Sequence, residues 1–293
     1  MVHIPVEFLE TGFDRLKSGL DRRLGFPFLK AKFRKTCGYE LNLENPQTWN
    51  EKIQWLKLNS SGEDLVRAAD KLEMPILVEE LMGADACDGL FAKIWQQSET
   101  ADGIDYQALP TSYVIKPTHG SGWLRIVTSE HPADAADLQD QCARWLRRKY
   151  GHRQFEWPYL QIKPRIMVEE LLPTPNALGA DDVKIHMVNG KIGFVLLVKD
   201  RHGTLTRNYM TEDWTPFPSG AGDPVEKVYG WDKMRDVALE LGQHFDCVRV
   251  DFLSTPTRYA LNELTFFPDS GFNTAGGPEF DREAGKLLTL PIG

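Results

Sequence analysis

The sequence predicts an α+β fold, helical through roughly its first hundred residues and mostly antiparallel sheet after that. Three observations predict it. Apolar residues fall at helical spacing early in the chain, as in Phe8 to Leu20 and Trp49 to Leu58. After Asp105 the texture changes to short β-rich runs broken by Gly and Pro. Asn189-Gly190 then separates two such runs, and Asn-Gly suits the type I′ turn of a tight hairpin.

The elements follow in order. Asn45-Pro46-Gln47-Thr48 gives a turn and an N-cap for Trp49 to Leu58, whose buried stripe is Trp49, Ile53 and Leu56. A second helix runs from about Glu63 to Lys71, and Pro75 breaks or restarts it before Ile76 to Met82. Tyr113 to Lys116 and Trp123 to Thr128 are strands joined through the glycine-containing segment Pro117 to Gly122. Ala133 to Tyr150 is amphipathic at helical period. Strands are expected at Arg165 to Leu171, Val183 to Val188 and Lys191 to Lys199. A loop-rich stretch from Asp200 to Gly230 precedes a helix at Trp231 to Phe245. A last strand pair, Cys247 to Leu253 and Arg258 to Leu264, leads into a Pro/Gly-rich tail.

Composition narrows the function classes. The chain has 293 residues, enough to bury a sizeable core in one large domain or in two or three small ones. Hydrophobic residues at 42% and charged residues at 26% leave no case for extended disorder. A net charge of −8 argues against general nucleic-acid binding, which needs an excess of Lys and Arg to replace counterions. Cys37, Cys87, Cys142 and Cys247 are scattered, without the spacing of a zinc site or a disulfide framework, which fits a reducing cytoplasm. Met1 to Glu10 lacks a signal-peptide apolar core, and the longest apolar run, Ile192 to Val198, is too short to cross a bilayer. The expectation is a soluble cytoplasmic protein.

Three segments carry chemistry. In Val248-Arg249-Val250-Asp251-Phe252 and Ala260-Leu261-Asn262-Glu263-Leu264-Thr265, alternation puts Arg249 with Asp251 on one strand face, and Glu263 with Thr265 on one face of the next. Asn262 then falls on the opposite face. A tight turn from Ser254 to Thr257 brings Asp251 beside Glu263, and two carboxylates on apolar strands repel unless a cation lies between them. Magnesium suits hard oxygen ligands. Spacing alone equally allows Arg249 to pair with one acid while the other faces solvent. The second segment, Lys116-Pro117-Thr118-His119-Gly120-Ser121-Gly122, offers backbone N–H groups and a fixed cation to phosphates, and is neither a P-loop nor a Rossmann turn. By itself it reads as a plain hairpin, and His119 as a surface loop histidine rather than a base. The third, Ile166 to Leu172, ends a strand in Glu169-Glu170 and can present backbone and carboxylate groups to an adenine edge, or simply meet solvent.

Taken in order, Lys71, Lys116 before its glycine hairpin, Glu169-Glu170, Lys184, Arg249 with Asp251, and Glu263 resemble the ATP-grasp superfamily. More narrowly, the chain resembles the TupA-like ATP-grasp family of polysaccharide gene clusters. The resemblance rests on the run Asn45 to Leu58 (NPQTWNEKIQWLKL), Val114 to Gly122, Pro164 to Leu172, Val248 to Phe252, and Asn262 to Phe272 (NELTFFPDSGF). It covers the chain from about Tyr39 to Leu288.

The resemblance implies an ATP-grasp fold, two α+β subdomains clasping ATP behind a helical N-terminal region. The expected division is a helical region at 1–105, a small lid subdomain at 106–172 and a large subdomain with the metal site at 173–293. Lys71 and Lys116 would contact ATP phosphates under a lid formed by Thr118, His119, Gly120, Ser121 and Gly122. Glu169, Glu170, Leu171 and Leu172 would line the adenine, Asp181 or Asp182 the ribose, and Lys184 would add a further nucleotide contact. Asp251 and Glu263 would bind Mg²⁺, with Thr265 standing where many ATP-grasp ligases carry Asn. A hydroxyl is the weaker ligand, so one firmly held metal is expected rather than two. Arg249 and the Ser270 and Gly271 backbone would stabilise the reacting carboxylate.

The implied activity is an ATP- and Mg²⁺-dependent carboxylate–amine ligation through an acyl phosphate, on a sugar uronate or amino acid in surface-polymer assembly. The alternative is a kinase acting on a sugar hydroxyl. Partners would be a small-molecule or glycan carboxylate and an amine acceptor. Arg201, His202 and Arg207 offer an anionic acceptor a basic loop, or are simply solvated. No readable motif encodes the acceptor or the oligomeric state.

Overall fold

Thr48 starts its helix as the sequence predicts. Its Oγ1 accepts the Glu51 N–H at 3.2 Å, and the Glu51 carboxylate accepts the Thr48 N–H at 3.1 Å, a reciprocal capping box. Glu51 also takes the amides of Asn42 and Gln47, so one buried carboxylate closes the whole incoming turn. The computed structural model describes residues 12–172, 180–199, 205–220 and 222–291.

Within these residues the chain forms helices α1 (Gly12–Arg23), α2 (Pro27–Cys37), α3 (Trp49–Asn59), α4 (Glu63–Ala69) and α5 (Met74–Met82). Strands β1 (Ile94–Ser98), β2 (Tyr113–Pro117) and β3 (Arg125–Val127) follow, then α6 (Ala135–Arg147), the single turn α7 (Pro158–Gln161) and β4 (Ile166–Glu170). After β5 (Asp181–Val188), β6 (Lys191–Lys199) and β7 (Thr206–Met210) come α8 (Trp231–Gly242), β8 (Cys247–Ser254), β9 (Tyr259–Thr265) and α9 (Gly277–Leu287). The α+β class is as expected.

Two antiparallel sheets result, one in the order β1-β4-β2-β3 and one in the order β7-β6-β5-β8-β9. In the first, Ile115, Ile166 and Val168 pack under Leu138, Cys142 and Trp145 of α6. In the second, alternation turns Val183, Ile185 and Met187 of β5 to one face, covered by α8, and Asp182, Lys184 and His186 to the other. The helix lies so close that a Cβ on Gly242 would meet Met187 at 2.6 Å. On the opposite face Trp49 of α3 and Phe280 of α9 close on Phe194 of β6, with ring centroids at 5.2 and 5.0 Å. They cover one end of that face and leave the other end open toward the first sheet.

The Asn189-Gly190 hairpin forms with φ of 49° and 76°, and Val188 pairs with Lys191. Three elements depart from expectation. β1 lies inside 1–105, the stretch expected to be helical; its pairing of Gln96 with Val168 comes from a partner far along the chain. β7 lies inside the expected loop and is held by β6, through pairs such as Leu197 with Asn208, rather than by an alternating sequence. α9 occupies the Pro/Gly-rich tail, because Pro278 is tolerated in its first turn. Gly285 lets it cross α3, since a Cβ there would meet the Gln47 carbonyl oxygen at 2.3 Å.

Candidate active site

A cavity of about 540 Å³ lies between the two sheets. Its floor is built by strand register. β5 pairs Lys184 opposite Asp251, and β9 pairs Glu263 opposite Asp251 and Thr265 opposite Arg249. Asp251, 1% exposed, is gripped by both neighbours. Arg249 Nε donates to Oδ1 at 2.6 Å and Nη2 to Oδ2 at 2.7 Å, while Lys184 Nζ donates to Oδ2 at 2.6 Å. Burial pushes the Asp251 carboxyl up, but Arg249 and Lys184 outweigh it and hold the group below the usual carboxylate range. Burial likewise works against the Arg249 cation, and Asp251 outweighs it to raise the guanidinium further. Of the two expected metal carboxylates, only Glu263 opens to the cavity; it is 24% exposed and 3.6 Å from Arg249 Nη2. The Thr265 hydroxyl accepts from Arg249 Nη2 at 3.2 Å.

Asn262 does not face away from this site. The β8–β9 register shifts between Asp251 and Phe252, leaving Asn262 as an extra residue between the Glu263 and Leu261 pairs. A bulge of this kind re-aims side chains, and both Asn262 and Glu263 line the cavity. The Asn262 amide oxygen accepts from Lys116 Nζ, across the gap, at 3.3 Å.

The opposite wall belongs to the smaller sheet. Lys116 of β2 pairs with Glu169 of β4 at 2.5 Å. Lys71, in the turn after α4, donates to the Gly120 carbonyl at 2.7 Å, and burial lowers its ammonium below the ordinary lysine value. Gly120, Ser121 and Gly122 line the cavity, and a Cβ on Gly120 would meet the Trp123 ring at 2.7 Å. Thr118 and His119 do not line it. Thr118 is fully buried, its N–H donating to the Arg165 carbonyl at 2.9 Å. His119 is 2% exposed, with Nε2 at 3.2 Å from the carbonyls of both Trp145 and Arg148, so it ties the hairpin to the end of α6. It is neither a surface histidine nor a nucleotide-facing one, because α6 packs over it.

Glu169, Glu170, Leu171, Leu172 and Asp182 line the cavity, whereas Asp181 does not. The Glu170 carboxylate is engaged by Arg258 at 2.6 Å. Arg207 of β7 also reaches the lining, while Arg201 and His202 lie outside the described residues.

Beyond β9, Asp269, Ser270 and Gly271 take φ of 50°, 57° and 69°, a left-handed turn that exposes Asp269 and Ser270 to the cavity. Non-glycine residues adopt this conformation only when their surroundings impose it, and α3 does so. Gln54 Nε2 donates to the Gly271 carbonyl at 2.8 Å, Lys57 Nζ to the Ser270 carbonyl at 2.6 Å, and Asn50 exchanges two hydrogen bonds with the Asn273 backbone. A Cβ on Gly271 would meet the Asn50 carbonyl oxygen at 3.0 Å. The Asn45 to Leu58 run is thus the platform under this turn. The Ser270 N–H, expected to serve an oxyanion, donates instead to the Phe267 carbonyl at 2.8 Å, and Gly271 packs on α3 rather than lining the cavity.

Several lining residues carry no sequence signal. Glu156, 6% exposed, accepts the Ser270 hydroxyl at 2.5 Å, and Tyr159 stacks edge-on with Tyr150. Glu156 sits in irregular chain and Tyr159 in the single turn α7, too short for a period to mark it. Asp269 falls within the Asn262 to Phe272 run, but only the left-handed turn directs it to the cavity.

Lys71, Lys116, Lys184 and Arg249 therefore converge on one space beside an open carboxylate, an arrangement that matches a polyphosphate and a divalent cation. Among the described residues no group of three or more His, Cys, Asp or Glu forms a metal cage. Magnesium does not need one, since it takes one or two carboxylates and fills its shell with phosphate oxygens and water. Glu263 fits that demand, whereas Asp251 lies beside it with both oxygens taken by Arg249 and Lys184. No described helix is long and apolar enough to cross a membrane.

Solved structures to which this chain is similar include a D-alanine–D-alanine ligase from Helicobacter pylori, at 11% identity and TM-score 0.49, covering 82% of this chain and 69% of that one. Another is the Bacillus anthracis D-alanine–D-alanine ligase complexed with ATP, at 12% identity and TM-score 0.42, covering 94% and 70%. A third is the ATP-grasp ligase PsnB complexed with minimal precursor, at 13% identity and TM-score 0.38. That match covers 73% of this chain and 58% of PsnB, less than two thirds of its length. Among curated proteins none matches the sequence. The sequence profile described as TupA-like ATPgrasp matches residues 51–289, which hold every cavity residue described above. The chain belongs to the TupA-like ATP-grasp family.

Proposed function

We propose that this protein is an ATP- and Mg²⁺-dependent carboxylate–amine ligase that activates its carboxylate as an acyl phosphate. The observation that carries the reading is the convergence of Lys71, Lys116, Lys184 and Arg249 on a cavity with Glu263 at its floor, in a chain of this family. Lys71, Lys116 and Lys184 would hold the phosphates, with Gly120, Ser121 and Gly122 as the lid. Glu169, Leu171, Leu172 and Asp182 would form the nucleoside end. Glu263 and Asp251 would hold Mg²⁺, which would supply charge neutralisation of the transferring phosphoryl group. Phosphate oxygens offer Lys184 a competing partner, and its departure would leave Asp251 Oδ2 with Arg249 Nη2 alone and one acceptor position open for the cation.

Asp251 fixes the plane of the Arg249 guanidinium by a two-point grip, which suits Arg249 to hold the charge that develops on the acyl carbon's oxygen. Glu156, the buried carboxylate beside Ser270 in the lining, is placed to take the amine's proton. Closure of the lid would keep water from the acyl phosphate. On this reading the substrate is a sugar uronate or an amino acid in surface-polymer assembly, the enzyme works in the cytoplasm, and Arg207 is a contact for the acceptor. The division into a region at 1–105, a lid unit at 106–172 and a metal-bearing unit at 173–293 is proposed with one amendment: the lid sheet draws in β1.

Incubation with ATP, Mg²⁺ and candidate carboxylates, followed by hydroxylamine, tests the reaction. A hydroxamate with stoichiometric ADP is expected. A stable phosphorylated product, unreactive to hydroxylamine, would instead make the protein a kinase.

A further inference from the structure

Helix α1 is amphipathic in the wrong sense for a helix that packs by its apolar side. Its acids face the protein and its leucines face out. Asp14, 7% exposed, takes the Arg153 guanidinium at 3.0 Å, and Asp21, 2% exposed, accepts the Phe28 and Leu29 amides at 2.7 and 3.0 Å, capping α2. On the other side Leu16 is 75% exposed, Leu20 51%, Leu24 61% and Phe28 47%. Leu16, Leu20 and Leu24 fall four residues apart, so they make one continuous ridge along α1 and the turn after it. A contiguous outward apolar ridge is the informative kind of exposure.

Charge says what would cover it. Between Gly12 and Cys37 the sequence carries eight Lys and Arg against two Asp, in a chain whose net charge is −8. Both of those aspartates are turned inward, so no acid of this segment offsets the basic groups on its outward surface. Arg15, Lys17, Arg22 and Arg23 flank the leucine ridge and are all exposed. Lys17 Nζ lies 5.1 Å from the Phe28 ring centroid and Arg22 lies 5.8 Å from that of Phe26, so the cations sit beside the apolar groups rather than away from them. A second copy of the chain would bring this basic surface against itself, which like charges oppose. A leucine ridge between flanking Arg and Lys is the surface that an interfacial helix offers to an anionic bilayer, apolar groups at the acyl boundary and cations among the headgroups.

We propose that α1 and the start of α2 dock this protein, in the plane of the interface, on a membrane surface bearing anionic lipid. No residue of α1 or α2 lines the cavity.

The full chain is sedimented with vesicles of phosphatidylglycerol and phosphatidylcholine, and with phosphatidylcholine alone, at low and at high salt. The expected result is pelleting with the anionic vesicles at least about tenfold above the neutral ones, falling with salt. The triple variant Leu16→Ser, Leu20→Ser, Leu24→Ser and the charge variant Arg15→Glu, Arg22→Glu, Arg23→Glu should each lose that binding. Nucleotide affinity unchanged from the parent serves as the check that each remains folded. Three results would overturn the proposal: no pelleting of the parent chain, pelleting undiminished in the leucine variant, or a concentration-dependent dimer that Leu20→Ser dissolves.

Discussion

The two walls of the cavity hold their cations differently. On the large sheet, Arg249 and Lys184 both grip the buried carboxylate of Asp251, Arg249 by alternation along β8 and Lys184 by the pairing of β5 with β8. On the side of the small sheet, Lys71 reaches a loop carbonyl at Gly120, and Lys116 divides its contacts between Glu169 of its own sheet and Asn262 of the other. The floor is therefore pre-organised by register, which is hard to disturb without losing the sheet. The small-sheet wall meets the floor through side-chain contacts such as that of Lys116 with Asn262, which the proposed lid motion would break.

The contrast is sharpest for Asp251→Asn against Glu263→Gln. Asp251→Asn takes from two buried cations their shortest carboxylate contacts, leaving Lys184 only Asp182 at 3.4 Å and Arg249 only Glu263 at 3.6 Å, and is expected to cost about 3–5 kcal/mol of stability as well as ADP formation. Glu263→Gln removes a carboxylate open to the cavity and should cut ADP formation at least ~100-fold with little change in stability. Thermal unfolding and an ADP-release assay on both variants decide it. Equal stability of the two would break the comparison.

Lys116→Ala should weaken binding, besides costing stability by leaving the buried Glu169 carboxylate without its partner. Loss of one charge-assisted contact of about 1.5–3 kcal/mol predicts ATP affinity weaker by roughly 10- to 100-fold in calorimetric titration. An unchanged affinity would remove Lys116 from the phosphate site.

The platform under the Ser270 turn gives a pH signature. Burial lowers the Lys57 ammonium from 10.5 to about 7, with Glu156 opposing that shift. Between those values the unfolded chain holds a proton that the folded one does not, so stability should rise as pH increases from about 7 toward 10.5, and should show no contribution from this group below about 7. Lys57→Met should flatten that rise in denaturant melts taken across the range. The smallest effect is expected at Thr48, whose capping box tightens α3: Thr48→Ala should cost about 1 kcal/mol and leave ATP affinity as it was.

Much of the site is legible in the amino-acid order. The pairing of Asp251 with Glu263 follows from two alternating runs and a tight turn, and the capping box, the Asn189-Gly190 hairpin and the amphipathic helix of the lid all follow from local rules. Other features are not legible there, each for a physical reason. His119 sits in a glycine-rich loop that reads as surface, yet α6 folds over it. Asn262 reads as facing away under strict alternation, and one bulge reverses it. Asp251 reads as a metal ligand or as a salt-bridge partner, and the register of β5 adds Lys184 to its partners, which no spacing announces.

The sequence by itself determined the class of fold, the family and the order of the charged residues, because these depend on period, turn chemistry and motif order, all of which are local. The tertiary structure alone decided which of those residues share a cavity. Strand pairing between distant segments, the left-handed turn that α3 imposes at Asp269 and Ser270, and the outward leucines of α1 depend on what packs against each element. Hydrophobic burial and hydrogen-bond pairing across long sequence separations are settled only when the chain closes on itself.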